Sequence, residues 1–235
     1  YDQDVLTWSP QGRLHQIEYA LEAVKQGGAV VGCKNATTVV LVTLNRELPN
    51  QSKQQKKIFK IDNNIGIAVS GLASDAVLLT EQLRAECTKS KFIYGSSPPL
   101  SQLADTISRK LQGQTQRSSR RPYGVGLILA GLDNSGTSIF HVCPSGNLYE
   151  YDCFALGSRS QASKTYLEKY IDTLKECSRV ELIKHAIKAL GEAQQANENI
   201  STSNCSIAVA YENKEFAVLD ESEADYYMNL LDETK

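Results

Sequence analysis

The order in which two periodicities alternate along the chain leaves few folds open to it. A polar lead and one helical stretch precede two β-rich pairs, two helical patterns, a β block, two more helical patterns and a last strand pair with an acidic helix. Strand side chains alternate with period two and helical ones with period 3.6, so each switch marks a new element. Residues 29–34 and 37–45 are β-rich runs joined by Asn35-Ala36, and residues 57–61 and 65–70 repeat the arrangement around Asp62-Asn63-Asn64. Both read as hairpins, with the polar residues 47–55 as a surface loop between them.

Leu72, Ala76, Leu79 and Leu83 then fit one helix face, and Leu103, Ile107 and Leu111 a second. A loop with Arg117, Arg120 and Arg121 leads to the longest strand candidate, residues 123–132, followed by 138–143 and 148–151. The next helix carries Leu167, Tyr170, Ile171 and Leu174. Another opens on Ser178 with Glu181 three residues on, a capping box, and continues through Ile183, Ala186, Ile187 and Leu190. Residues 206–211 and 215–220 form the closing hairpin. Strands adjacent in sequence pair antiparallel, and paired helices need an apolar surface to cover. The expected fold is α+β: a four-layer α-β-β-α sandwich with two mostly antiparallel sheets and a helix pair on each outer face. No linker composition or solenoid-length repeat interrupts the pattern, so residues 1–235 are expected to form a single domain.

The lead has its own logic. Residues 1–8 are polar and irregular, and Ser9-Pro10-Gln11-Gly12 has the residue order of a type I turn. A helix is expected over residues 13–26, with Leu14, Ile17, Leu21 and Val24 as its apolar stripe and Gly27-Gly28 as its stop. The chain opens at Tyr1 rather than Met, from which removal or omission of earlier residues is expected.

Composition narrows the function classes. A formal charge of -2 gives no electrostatic reason to expect nucleic acid or an anionic membrane as partner. No apolar run approaches the about 18 residues of a membrane span, and the amino end does not read as a secretion signal. The six cysteines (Cys33, Cys87, Cys143, Cys153, Cys177, Cys205) lack CxxC spacing and read as free, buried thiols in a reducing compartment. The expected location is cytoplasm and nucleus.

The string Trp8-Ser9-Pro10-Gln11-Gly12-Arg13-Leu14-His15-Gln16-Ile17-Glu18-Tyr19-Ala20, followed by Glu22-Ala23-Val24 and Gly27-Gly28, resembles the amino-terminal signature of proteasome alpha subunits. Ser70-Gly71-Leu72-Ala73-Ser74-Asp75, Arg121-Pro122-Tyr123-Gly124-Val125-Gly126 and Gly157-Ser158-Arg159-Ser160-Gln161 extend the likeness along the chain. The resemblance implies an amino-terminal nucleophile hydrolase-like sandwich over residues 28–235, a gate segment and turn at 1–12 and an interface helix at 13–26. It implies a heptameric ring with six other alpha subunits, stacked on beta-ring subunits. The alpha ring closes the substrate-entry pore and receives proteasome activators or the regulatory particle, in ubiquitin-dependent protein degradation.

The same resemblance implies that the chain is non-catalytic. The proteolytic beta relatives use an amino-terminal Thr whose hydroxyl attacks while its own amine takes the proton. Here Gly28 leads into the first strand, without a hydroxyl and with its nitrogen in a peptide bond, and Leu44 stands where an orienting Asp is expected. Lys57 is the one part retained. No catalytic, metal or cofactor site is expected: His15, His141 and His185 are scattered, Ser70-Gly71 lacks the earlier Gly of a nucleophile elbow, and Gly124-x-Gly126 reads as strand packing. A threonine-type peptidase and a stand-alone binding module built on residues 117–121 stay open as alternatives.

On composition, Lys57 is one of four lysines with Lys53, Lys56 and Lys60 and reads as a solvated strand edge. The resemblance gives it another role: with Gly27, Gly71 and Leu72 it forms a pocket for the terminal carboxylate of a regulator tail, Gly71-Leu72 opening a helix whose backbone amides are expected to be available. Tyr1, Asp2, Pro10 and Tyr19 match a cluster that holds the gate segments open, although Gln3 replaces the usual Arg. On its helix alone, Tyr19 reads equally well as packing. The acidic carboxyl end reads as a solvated helix face.

Overall fold

The computed structural model describes residues 1–45, 55–194, 200–212 and 214–232. Lys53, residues 47–54 of the expected polar loop and Glu233 of the acidic end lie outside the described residues.

Ten strands pair antiparallel into two five-stranded sheets among the described residues. The first hairpin, β1 (Val30–Lys34) with β2 (Thr38–Leu44), turns on Asn35, whose side-chain oxygen accepts the amides of Thr37 and Thr38. Its sheet is completed by β8 (Cys153–Leu156) beside β1 and by β9 (Cys205–Tyr211) and β10 (Lys214–Val218) beyond β2. The second sheet runs in order through β3 (Ile58–Asp62), β4 (Ile65–Gly71), β5 (Val125–Asp133), β6 (Gly136–Val142) and β7 (Leu148–Glu150).

The sheets meet face to face over a core that includes Val30, Leu41, Ile128, Ile139 and Phe216. Phe216 fills the space a side chain at position 66 would need: a β-carbon on Gly66 would lie 2.0 Å from its ring. Helices α2 (Ala73–Tyr94) and α3 (Leu100–Gln114) cover the second sheet through Leu79, Leu83, Leu103, Ile107 and Leu111. Helices α4 (Ser160–Lys169), α5 (Ile171–Glu176) and α6 (Arg179–Glu192) cover the first, joined by α7 (Glu221–Asp232). The expected α-β-β-α layering is thus present, and so is the capping box of Ser178 and Glu181.

Three local readings need correction. The Cys153–Leu156 strand was not anticipated; it looks like a continuation of β7, yet the chain crosses at Tyr151-Asp152 to pair with β1 instead. The single helix drawn through Leu167 and Leu174 breaks at Tyr170, whose φ of -108° and ψ of 11° leave the helical region. Leu72 is not on the buried face of α2 but precedes it and is 47% exposed.

Helix α1 (His15–Gln26) begins two residues later than expected, because Arg13 closes the turn: its amide meets the Ser9 hydroxyl and its carbonyl accepts the Ser9 amide. The turn itself closes through Gly12 N–H to the Ser9 carbonyl at 2.9 Å. The helix lies across β4 and β5 at the end of the sandwich, and Val24 enters the inter-sheet core. Gly126 makes room for it; a β-carbon there would meet Val24 at 2.9 Å.

Candidate functional site

The carboxyl end of α1, the β4–α2 junction and the end of β8 converge on one backbone knot. Gly27 ends α1 and abuts the junction so closely that a β-carbon on it would lie 2.3 Å from the Ser70 hydroxyl and 2.4 Å from the Gly71 nitrogen. The buried Ser70 hydroxyl faces two carbonyls, Val24 at 3.0 Å and Gly28 at 3.1 Å. It is a structural tie and lacks the freedom of a nucleophile. From the third side, Ser158 N–H donates to the Gly27 carbonyl at 2.7 Å, and Gly157, with φ of 92°, lets that chain approach.

Lys57 reaches into this knot from the residue before β3. Its ammonium donates to the Leu44 carbonyl at the end of β2, and a β-carbon on Gly28 would lie 2.0 Å from Nζ. The solvated strand-edge reading of Lys57 is therefore replaced: its charge is drawn inward against Gly28. Gly71, with φ of 120°, adopts a backbone that disfavours any other residue, and a β-carbon there would strike the Gly124 carbonyl at 2.2 Å. Gly27, Lys57, Gly71 and Leu72 are thus brought to one place.

One feature differs from expectation. The Leu72 amide is not available to a ligand, because it donates to the Gly124 carbonyl at 2.8 Å. This bond pins the α2 entrance to β5, and a second clamp lies beside it. Asp75 accepts both Arg121 guanidinium nitrogens, at 2.7 and 2.8 Å, and the Gly124 amide at 3.0 Å. Burial alone would raise the Asp75 pKa, but these partners outweigh it and hold the carboxyl below its usual range. Arg121 is thereby tied to the α2 entrance, although its side chain stays largely exposed.

The gate candidates are joined in part. Tyr19 Oη donates to the Asp2 carboxylate, and the Gln16 side-chain amide donates to the Asp2 carbonyl, so α1 holds the first residues against itself. The bond to Asp2, with burial and the carboxylate charge, raises the Tyr19 pKa. Tyr19 is 50% exposed, so packing on its own domain does not account for it. Pro10 acts at one remove, in the turn that launches α1; Tyr1 is exposed, as is Gln3. Of the α1 stripe, Val24 is buried while Leu14, Ile17 and Leu21 stay half-covered.

Ser70, Gly157, Ser158 and the Leu44 carbonyl were missed as site residues. Ser70-Gly71 and Gly157-Ser158 lie in the strings that carry the resemblance, and Leu44 stands where an orienting Asp was expected, but nothing in the sequence says that these residues meet. Among the described residues no group of three or more His, Cys, Asp or Glu is placed to hold a metal ion.

The family model for proteasome subunits matches residues 24–210, and that for the amino-terminal signature of A-type proteasome subunits matches residues 1–23. The chain belongs to the proteasome alpha-subunit family. It is 45% identical to Proteasome subunit alpha type-1 of Dictyostelium discoideum over 233 residues, covering 99% of this chain and 94% of that protein. It is 42% identical to Probable proteasome subunit alpha type-6 of Schizosaccharomyces pombe over 231 residues, 98% of this chain and 85% of the relative. Proteasome subunit alpha type-1 of Caenorhabditis elegans is 40% identical over 229 residues, 97% and 88% of the two chains. Proteasome alpha subunits work in a multisubunit assembly, and the two matched families divide this one at α1, the signature ending at residue 23 and the main subunit match starting at Val24.

Proposed function

We propose that this subunit is a non-catalytic member of the alpha ring that scaffolds the ring, forms part of the entry gate and receives regulator tails. The observation that carries the reading is the contact between Gly28 and Lys57. Where a beta-type subunit needs a hydroxyl and a free amine, Gly28 offers neither, and the lysine that would serve them donates to the Leu44 carbonyl instead. The partners on this reading are six other alpha subunits, the beta-ring subunits and activators or the regulatory particle. The exposed Tyr1, Leu6, Trp8 and Tyr19 around a half-covered α1 support the amino-terminal segment as a contact between subunits and as a gate. Cytoplasm and nucleus are the compartments of this reading, supported by six cysteines that are all unpaired.

Lys57, beside Gly27, Gly71 and Leu72, is the carboxylate receptor: a compact ammonium suits a single carboxylate. The Leu72 amide takes no part. In reconstituted particles Lys57→Ala should weaken activator binding and pore opening at this pocket; unchanged affinity and unchanged opening would sink the assignment.

A further inference from the structure

A cavity of about 440 Å³ opens between α1 and the start of α4, with Gly157 shared between its lining and the knot around Gly27. Leu21 and Val24 wall it on the α1 side, while His141 and Phe154 face it from the sheets. Its volume falls in the range of small-molecule sites, about 300–1,000 Å³, and is far too small for a folded partner.

The charge in its wall has one sign. Lys25, Arg159 and Lys164 line it, and no lining residue among those described is acidic. Lys25 is already neutralised by Glu22 at 3.0 Å. Arg159 donates to a neutral acceptor, the Gln194 carbonyl at 3.1 Å, and Lys164 lies over the Phe154 ring at 4.5 Å from its centroid. Burial pushes the Lys164 pKa down, opposed by the charge of Glu168 one turn on. Arg159 and Lys164 thus line the cavity, and neither has a carboxylate in salt-bridge contact among the described residues. Arg159 is held in the left-handed region at φ 55°, the only non-glycine residue so placed among those described, and backbone strain of this kind collects at functional sites.

The sheet side supplies an aromatic cluster, in which Tyr151 also stacks on Phe154 at 4.3 Å, and an orphan. His141 and Phe154 stack with centroids 4.4 Å apart. His141 is 9% exposed, and its Nδ1 has no hydrogen-bond partner although buried. Burial, with the charge of Lys164, brings its pKa down to about 4, so the ring is neutral near pH 7 and adds no further positive charge to the cavity.

We propose that this cavity binds a small organic carboxylate with a flat apolar body, the carboxylate between Arg159 and Lys164 and the body against His141 and Phe154. A planar guanidinium fork and a point-charge ammonium suit one carboxylate, and Leu21, Val24, Pro144 and Leu156 offer apolar wall to the body it carries.

The test uses purified assembled particles and 2-naphthoate, with 2-naphthamide as the uncharged probe of the same shape, read by saturation-transfer NMR titration. Naphthoate should bind the wild-type particle more tightly than the amide. Lys164→Gln should weaken it at least about tenfold, the loss of one charge-assisted contact. Leu21→Trp, which fills the α1 wall, should reduce binding to the background of the other subunits; should Lys164→Gln fail to assemble, Leu21→Trp and Arg159→Gln decide. The proposal is overturned if naphthoate does not bind the wild-type particle, if the amide binds as tightly as the acid, or if the variants that assemble bind as wild type does.

Discussion

Lys57 Nζ occupies the place from which a side chain at Gly28 would grow: a β-carbon built on Gly28 would lie 2.0 Å from it and 2.8 Å from the Leu44 carbonyl oxygen. The two residues are distant in sequence, yet each forbids the other an alternative. A larger residue at position 28 would displace the ammonium, and a displaced ammonium would leave the proposed regulator pocket without its cation.

Gly28→Thr follows directly from that contact. The lysine tip can swing aside but the Leu44 carbonyl belongs to β2, so overpacking should cost about 1–3 kcal/mol. No peptidase activity should appear, because the position-28 nitrogen remains in a peptide bond. Thermal melts and peptide hydrolysis with the beta sites covalently blocked would check both halves; new hydrolysis would show that a peptide-bonded nitrogen at position 28 does not block that chemistry.

Asp2 and Tyr19 should act as one unit. Tyr19→Phe removes the hydrogen bond and Asp2→Asn leaves only a neutral acceptor for it, so regulator-stimulated peptide entry should fall by roughly a few-fold with the first and less with the second. Regulator affinity should stay unchanged, since neither residue lies in the Lys57 pocket. A parallel loss of binding would separate these residues from the gate.

The Asp75–Arg121 pair predicts an asymmetry. The Asp75 side chain is 3% exposed and that of Arg121 is 60% exposed. Arg121→Ala would strand a buried carboxylate and should cost about 3 kcal/mol near pH 7. Asp75→Asn leaves a solvated cation and should cost less, about 1–2 kcal/mol. The lowered folded pKa of Asp75 means that its stabilising share is present above the ordinary carboxylate range and lost as pH falls through the folded value. The gap between wild type and Arg121→Ala should therefore shrink in acid, which denaturant titrations at pH 7 and pH 3 would reveal.

His141 titrates the other way from a salt-bridged histidine. Its folded pKa lies below the ordinary 6.5, at about 4, because burial disfavours the cation. Stability is therefore present above pH 6.5 and drains as pH falls toward 4, by up to about 3 kcal/mol at about 1.36 kcal/mol per pH unit. His141→Phe keeps the stack on Phe154 and removes the proton site, so the wild-type-minus-variant difference should change across that window and stay flat above pH 7. A constant difference from pH 7.5 to 4.5 would show that His141 is not the titrating group.

The four-layer architecture was legible because burial writes its period into each element. Leu103, Ile107 and Leu111 marked a helix face that had to be covered, and Ser178 with Glu181 announced the α6 start. The candidate site was legible only in fragments. Gly27, Lys57, Gly71 and Leu72 could be named individually through the family likeness, but nothing in their spacing says that they touch. The β8 strand was missed because its four residues differ from a β7 extension only in which neighbour they bond.

The sequence by itself determined the layers, the launch of α1 at Ser9-Pro10-Gln11-Gly12 and the missing hydroxyl at Gly28, since these depend on local backbone preference, periodicity and residue chemistry. Tertiary structure alone decided that Lys57 turns inward, that the Leu72 amide belongs to Gly124, and that Arg121 closes on Asp75. Each of these is a contact between segments far apart in the chain. Contacts of that kind are selected by how two sheets and α1 close against one another, a property of the whole packed core that no single stretch encodes.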